Sequence, residues 1–320
     1  MTAADLARQL EERELRARRP TNLWRDTLGE ILRQRSALVG LAILGVILFA
    51  AVFAPLIAPY DPEIPIRGEG AERLSPPCIH LLGCPESQPQ HIMGVDQNRR
   101  DEFSRVVYGA RVSLQVGIVT VGMAILVGTF IGSLAGYLGG WFDNGLMRVM
   151  DVLLAFPALV LAIFLATAFQ TLSIPFLDDP LFNAMLAIGI VSIPVYARVM
   201  RASVVSVRER DFVTASRALG ESGTGILVRR ILPNSLTPVI VQGTLGIATA
   251  ILEVAALSFL GIGAQEPTPE WGSMIGLVRN QMFSAPHLVI FPGIALALSV
   301  LAFNLLGDGV RDALDPRLNR

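Results

Sequence analysis

Lysine is missing from the chain altogether, so all 26 of its lysine-or-arginine positions are arginine. That absence excludes a phosphate-binding loop of the G-x-x-x-x-G-K-[ST] kind, whose lysine reaches the β- and γ-phosphates. The chain is therefore not a P-loop ATPase by itself, and any energy from ATP reaches it through a partner. Charge of either sign is scarce: 17% of the 320 residues are charged, against roughly 25% in an ordinary soluble domain. The net charge of −1 argues neither for nor against nucleic acid. There are only 3 histidines, and no H-E-x-x-H zinc site occurs. Cysteine is found twice, at Cys78 and Cys84.

What the chain does have is apolar residues, 52% of the total, gathered into runs with no polar face. Such runs have lipid or other apolar helices as their solvent. A helix needs about 20 apolar residues to cross the hydrocarbon core, and six stretches qualify. They run from about Ser36 to Ala58, Val112 to Leu138, Leu146 to Phe169, Phe182 to Met200, Val239 to Ile262 and His287 to Leu306. The fold class is thus all-α and polytopic. The first span lies behind a charged leader and is too long for the apolar core of a cleaved signal peptide. Arginine placement sets the orientation. In a six-span frame, 19 of the 26 arginines fall on one side, which makes that side the cytoplasm and places both termini there.

This frame divides the chain into a cytosolic tail with an interfacial helix (1–35), the first span (36–58), an extracytoplasmic loop (59–110), a five-helix core (111–307) and a C-terminal cytosolic tail (308–320). In the leader, residues 4–19 read as a solvated helix. Trp24, Leu28, Ile31 and Leu32 then share one helical face, fitted to the membrane interface or to another subunit. The proline-rich outer loop holds both cysteines. An exported loop permits Cys78 and Cys84 to bridge. Two free thiols are the alternative, and a metal site with His80 or His91 lacks enough ligands.

Gly128, Gly132 and Gly136 recur every four residues in the second span, a register that lets another helix approach backbone to backbone. A hinge is the other reading of the same glycines. Glu253 is the one carboxylate well inside a span. Isolated charge at that depth costs roughly 2.5–3.5 kcal/mol on insertion scales. It either lines a pathway or bonds to a neighbouring helix, and the lack of a basic or histidine relay nearby favours the bond. Gln242 and Asn304 are weaker cases of the same kind.

Between the fourth and fifth spans, residues 205–234 form an arginine-rich helix–glycine–helix loop. Arg208 to Ala218 reads as a short amphipathic helix stopped by Gly220. A second helix follows from about Thr224 to Leu232, with Pro233 leading into the fifth span. This loop resembles the E-A-A-x-x-x-G…L-P coupling loop of ABC importer permeases. Thr214-Ala215-Ser216 stand in the E-A-A positions, Gly220 at the glycine and Leu232-Pro233 at the end. Three further segments are similar to the dipeptide/oligopeptide permeases. They are Gly94-Val95-Asp96 through Leu114, Ala256-Leu257-Ser258-Phe259-Leu260-Gly261 through Trp271-Gly272, and Phe303-Asn304-Leu305-Leu306-Gly307-Asp308 through Arg317.

The resemblance implies a type I ABC importer permease architecture and one half of a translocation pathway for peptides, although nickel and other small solutes use similar permeases. The implied partners are a second homologous permease subunit, two ATP-binding subunits and an extracytoplasmic substrate-binding protein. With lipid these complete the set, which contains no nucleic acid. ATP and magnesium are bound by the partners, so the chain itself carries no cofactor, no metal and no catalytic residue. Contact with the motor falls to Arg210, Asp211, Thr214, Ala215, Ser216, Gly220, Glu221, Leu232 and Pro233. Thr214 departs from the family glutamate, so no charged contact is assigned to it; Asp211 or Glu209 supplies an acid nearby. Two rival readings differ in class. An ion-coupled secondary transporter needs mid-membrane ion ligands on interrupted helices, of which only Glu253 qualifies. An intramembrane serine protease would use Ser222 in Gly220-Glu221-Ser222-Gly223, but no histidine lies close in sequence to activate it.

Overall fold

The computed structural model describes residues 29, 32, 34–66, 72–172, 174 and 177–314. The expected helix at 4–19, the stripe Trp24, Leu28 and Ile31, and residues 315–320 lie outside the described residues. Helices carry the fold. Those of seven residues or more are, in chain order, α1 (Arg35–Val52), α2 (Glu102–Leu138), α3 (Gly140–Leu154), α4 (Ala158–Gln170), α5 (Pro180–Arg208), α6 (Asp211–Ala218), α7 (Thr237–Phe259), α8 (Trp271–Leu277) and α9 (His287–Leu314). Five of them, α1, α2, α5, α7 and α9, are each long and apolar enough to cross a membrane, and the pair α3 and α4 raises the number to six if it is counted as one span.

That pair corrects the third span. Leu146 to Phe169 is not one helix: α3 and α4 meet at 93° across Ala155, Phe156 and Pro157. Pro157 has no amide hydrogen to continue the ladder, and its ring drives Phe156 out of helical geometry. Three other boundaries shift, the first two for a common reason. Hydropathy stops counting where charges begin, but charges that find partners stay helical. α2 starts at Glu102, so residues 102–110 belong to the helix and not to the loop; Asp101 caps it by accepting from the Ser104 amide. α5 runs on past Met200 to Arg208, because Arg198 and Arg201 are paired with Asp151 and Asp143 of α3. α9 continues through Leu314, where Gly309 leaves room for Ala37 of α1.

The centre of the bundle is the α2–α5 seam. Gly128, Gly132 and Gly136 lie against the α5 backbone. A Cβ at Gly128 would sit 2.7 Å from Cβ of Tyr196, and one at Gly136 would sit 2.9 Å from the Arg201 carbonyl oxygen. At Gly132 the Ala197 carbonyl oxygen is nearer still. Small residues at such a seam let backbones make the contacts that lipid cannot replace.

At the end of the bundle where α2 begins, polar groups do the joining. Cys78 and Cys84 are joined by a disulfide, and Cys78 pairs backbone to backbone with His91. The His91 Nδ1 lies 2.9 Å from Asp101 Oδ1, with both side chains buried. Arg100 donates from Nε to Asp96 at 2.7 Å and from its terminal nitrogen to Glu266 at 2.6 Å. Arg105, 1% exposed, donates to the carbonyls of Pro62 and Pro267. These two arginines pin the outer loop, the start of α2 and the segment before α8 together. Trp271 of α8 completes the joint by donating from Nε1 to the Val106 carbonyl at 3.0 Å.

Burial is the strongest influence on Glu266 and pushes its carboxyl up, yet the Arg100 bond and the charges of Arg100 and Arg105 outweigh it, helped by the Asn98 amide. The carboxyl is held below the usual range. Its contribution to stability is therefore complete above the unfolded value of about 4.3 and is lost as pH falls through the lower folded value.

Two predictions follow from this packing. Gly132→Ala will destabilise the solubilised protein by about 1–3 kcal/mol through overpacking. Gly122→Ala, where nothing lies within 4 Å of the added carbon, will be neutral or slightly stabilising; thermal unfolding in detergent separates the two. Glu266→Gln will cost about 2 kcal/mol at pH 7 by removing a charge-assisted bond to Arg100, which keeps Asp96 as its partner. The gap to wild type will narrow below about pH 4; a gap that stays constant to pH 3 contradicts the assignment.

Candidate coupling surface and membrane cavity

Two places hold chemistry that the packing does not require. One is the loop between α5 and α7, at the end of the bundle where α2 terminates. α6 turns two faces to different surroundings: Val213 and Ser216 are buried, while Asp211, Thr214, Ala215 and Arg217 are exposed. The helix stops where Gly220 adopts φ +81°. The Gly220 amide donates to the Arg217 carbonyl and the Glu221 amide to the Ser216 carbonyl, each at 3.1 Å. Paired bonds of this kind satisfy the last carbonyls of a helix and need a residue free to enter the left-handed region.

Ser222 then caps the next helical stretch, accepting from the Gly225 amide. This is a structural role for the serine that the protease reading would need as a nucleophile. Gly223–Gly225 runs on into a π-helical segment, Ile226–Ile231, and into Leu232–Ser235. Ile226 and Ile231 are 1% and 0% exposed and share a core with Val204 and Val207 of α5. Tyr137, at the end of α2, donates to the Gly223 carbonyl at 2.9 Å, and Arg208 donates to the Gly136 carbonyl at 2.7 Å. Arg230 closes the loop on Glu221 at 3.1 Å.

The loop is thus fastened beneath and bare on top. Arg210, Asp211, Thr214, Ala215, Gly220 and Pro233 are exposed; Glu221 and Leu232 are half-buried, and Ser216 is buried. Leu219 is 88% exposed at the tip, an apolar side chain with nothing over it. Of the two acids near Thr214, Glu209 is already paired with Arg208 at 3.0 Å, whereas Asp211 stands at the exposed start of α6.

The second place is a cavity of about 170 Å³ where the α3–α4 break faces α5 and α7. Phe156 of the break lines it, with Ser192 and Tyr196 of α5 and Gln242, Thr249 and Glu253 of α7. The bond from Glu253 to a neighbouring helix, expected from the sequence, is not there. Among the described residues the carboxylate has no hydrogen-bond or ion-pair partner, and its polar neighbour is Tyr196. Gly246 admits the Tyr196 ring, since a Cβ there would collide with the hydroxyl. Ser192, Tyr196 and Thr249 went unmarked in the sequence. The available signal was Phe156-Pro157 in the middle of an apolar run, which announces a break and hence a lined space at membrane depth.

Comparison with known proteins agrees with this architecture. Residues 128–320 match the family model described as the binding-protein-dependent transport system inner membrane component. Residues 22–77 match the N-terminal transmembrane domain of oligopeptide transport permease C. The dipeptide transport system permease protein of Alkalihalophilus pseudofirmus is 43% identical over 300 residues, 92% of this chain and 90% of its own. The di/tripeptide permease protein of Pseudomonas aeruginosa is 42% identical, covering 89% of each chain. A glutathione transport system permease protein of Escherichia coli is 40% identical over 92% of this chain and 91% of its own. Among solved structures, a chain of the MetNI methionine ABC transporter in an inward-facing conformation superposes with a TM-score of 0.54 at 17% identity. It covers 67% of this chain and 98% of that one, a likeness of fold. On this evidence the chain belongs to the family of inner membrane components of binding-protein-dependent transport systems, and is a multi-pass permease subunit of the ABC importer type.

Proposed function

We propose that the chain is one of two pore-forming subunits of an ATP-driven importer of short peptides, with its α5–α7 loop as the seat of an ATP-binding subunit. The observation that carries this reading is the loop itself. A surface that is anchored from below by buried Val213, Ile226 and Ile231, and that presents Thr214, Ala215 and Leu219 outward, is built to receive a partner. The chain has no lysine for a nucleotide loop of its own, so the motor is a separate subunit. Relatives named for dipeptide, di/tripeptide and glutathione transport support a peptide as cargo.

In this reading the loop faces the cytoplasm, together with Arg35 and the end of α9, and the disulfide-bearing loop faces the extracytoplasmic side. A binding protein delivers peptide there, and a second homologous permease subunit supplies the other wall of the path. Two ATP-binding subunits close on ATP and move the loops. A motor changes the equilibrium between inward- and outward-facing bundles only through contacts that differ between the two states. The loop transmits such differences because it packs into the α5 core and is not tethered by flexible chain.

Leu219→Asp tests the assignment. It leaves the buried side of the loop untouched and places a charge at the centre of the proposed contact. Peptide uptake by cells carrying the variant is expected to fall at least about tenfold, the equivalent of roughly 1.4 kcal/mol at the interface, with the subunit still present in the membrane. Uptake at the wild-type rate, or labelling of an Arg217→Cys thiol by an impermeant reagent added outside intact cells, refutes it.

A further inference from the structure

We propose that Glu253 is a cation-binding subsite on the wall of the translocation path, and that it receives the α-ammonium group of a peptide in transit. The proposal deepens the reading of the chain as a peptide permease subunit and rests on it.

Three observations converge. The first is the missing partner. An ionisable group within a span is expensive and ordinarily pairs with another group or faces water. The guanidiniums of Arg198 and Arg201 on neighbouring α5 are already held by Asp151 and Asp143, and no described residue bonds to Glu253. The second is where it points. Glu253 lines the cavity at the α3–α4 break, beside Ser192, Tyr196, Gln242 and Thr249. Backbone that departs from helix at membrane depth is tolerated where it lines a cavity, and hydroxyl and amide groups on such a wall replace the hydration of a polar solute. The third is the sign of the field. Among the described residues no arginine or histidine lines this cavity, and the only charged side chain on it is an acid. A site of that composition attracts a primary ammonium and repels a carboxylate.

Size is consistent with a shared path. The cavity of about 170 Å³ falls short of the roughly 300 Å³ at the lower end of small-molecule pockets. One subunit therefore offers a wall, and the facing subunit closes it.

The test uses the whole complex with its binding protein in vesicles, and dialanine as the probe. At saturating loaded binding protein, Glu253→Gln is expected to lower dialanine uptake about tenfold, and Glu253→Asp to keep at least a third of it, with ATP hydrolysis still stimulated. A second readout needs no transport. Cys78 and Cys84 are bridged, so Ser192→Cys gives this chain its one free thiol, and labelling is read on this subunit after the complex is separated. The thiol is expected to react at least about threefold faster with a cationic aminoethyl thiosulfonate than with a neutral analogue of the same size. Glu253→Gln in the same background removes that preference. Uptake unaffected by Glu253→Gln overturns the subsite, as does a Ser192→Cys thiol that neither reagent reaches because a partner covers it, or that shows equal rates. If Glu253→Gln fails to assemble, the rate ratio in the otherwise unaltered complex decides. If the wild-type complex imports no dialanine, the peptide reading fails instead, and the cationic preference alone decides whether the site stands.

Discussion

Inside a bilayer, apolar side chains gain little by meeting one another, because lipid tails are as apolar as they are. What separates a folded bundle from a set of independent helices is how closely backbones approach, and in this chain α2 and α5 lie main chain to main chain at three successive glycines. Three glycines on α2 let the α5 main chain from Ile193 to Arg201 lie directly on it. The rest of the bundle is arranged around that pair. α7 fits against it through Gly243 on Ile125 and Gly246 on Tyr196. α1 is drawn to α9 by Gly40, beside the Ala302 carbonyl. The outward faces of α1, with Val46, Leu48 and Phe49 exposed, are left for lipid.

Apart from the cavity at Glu253, the polar joints lie toward the ends, and the two ends do different work. Where α2 begins, Asp96, Arg100, Arg105 and Glu266 bind each other so completely that loops distant in sequence form one joint. At the opposite end the charges tie helix to helix singly, as Arg208 does to the Gly136 carbonyl, and the loop surface stays bare. The apolar packing has the same asymmetry. One core joins α6 and the π-helical segment to α2, α4, α5 and α7, and another joins α1 and α8 to α2, α7 and α9. The loop thus rests on the core that contains Val204 and Val213, while the second core adjoins the joint through Trp271.

Much of this was legible in the sequence. The apolar runs announced α1, α2, α5, α7 and α9, since length and hydropathy are what a bilayer demands. The Gly128–Gly132–Gly136 register and the Gly220 stop were visible because each depends on a residue type that little else can replace. The misreadings came where partners at long range decide the matter. Glu102 to Ala110 looked like loop, because a window of hydropathy cannot know that Arg105 will find the Pro62 and Pro267 carbonyls. Leu146 to Phe169 looked like one span, because composition averages over the break that Pro157 makes. The joint itself, with Glu266 some 166 residues from Arg100, leaves no local trace beyond a clustering of charge in two separate segments.

The remaining irregularities share one address. A proline breaks a span, a tyrosine needs a glycine to make room for it, and a carboxylate lies at membrane depth with no partner among the described residues. They come from three stretches of sequence, around 156, 196 and 253, and they meet at a single cavity. Natural sequences depart from local rules where function requires it and compensate elsewhere. At the joint where α2 begins the compensation is present in the chain, charge for charge. At the cavity no described residue supplies it, and an acid at that depth is left to face water or a polar solute. The hydroxyls of Ser192, Tyr196 and Thr249 and the Gln242 amide beside it make the wall polar, the setting that a hydrated space requires and a sealed helix seam does not.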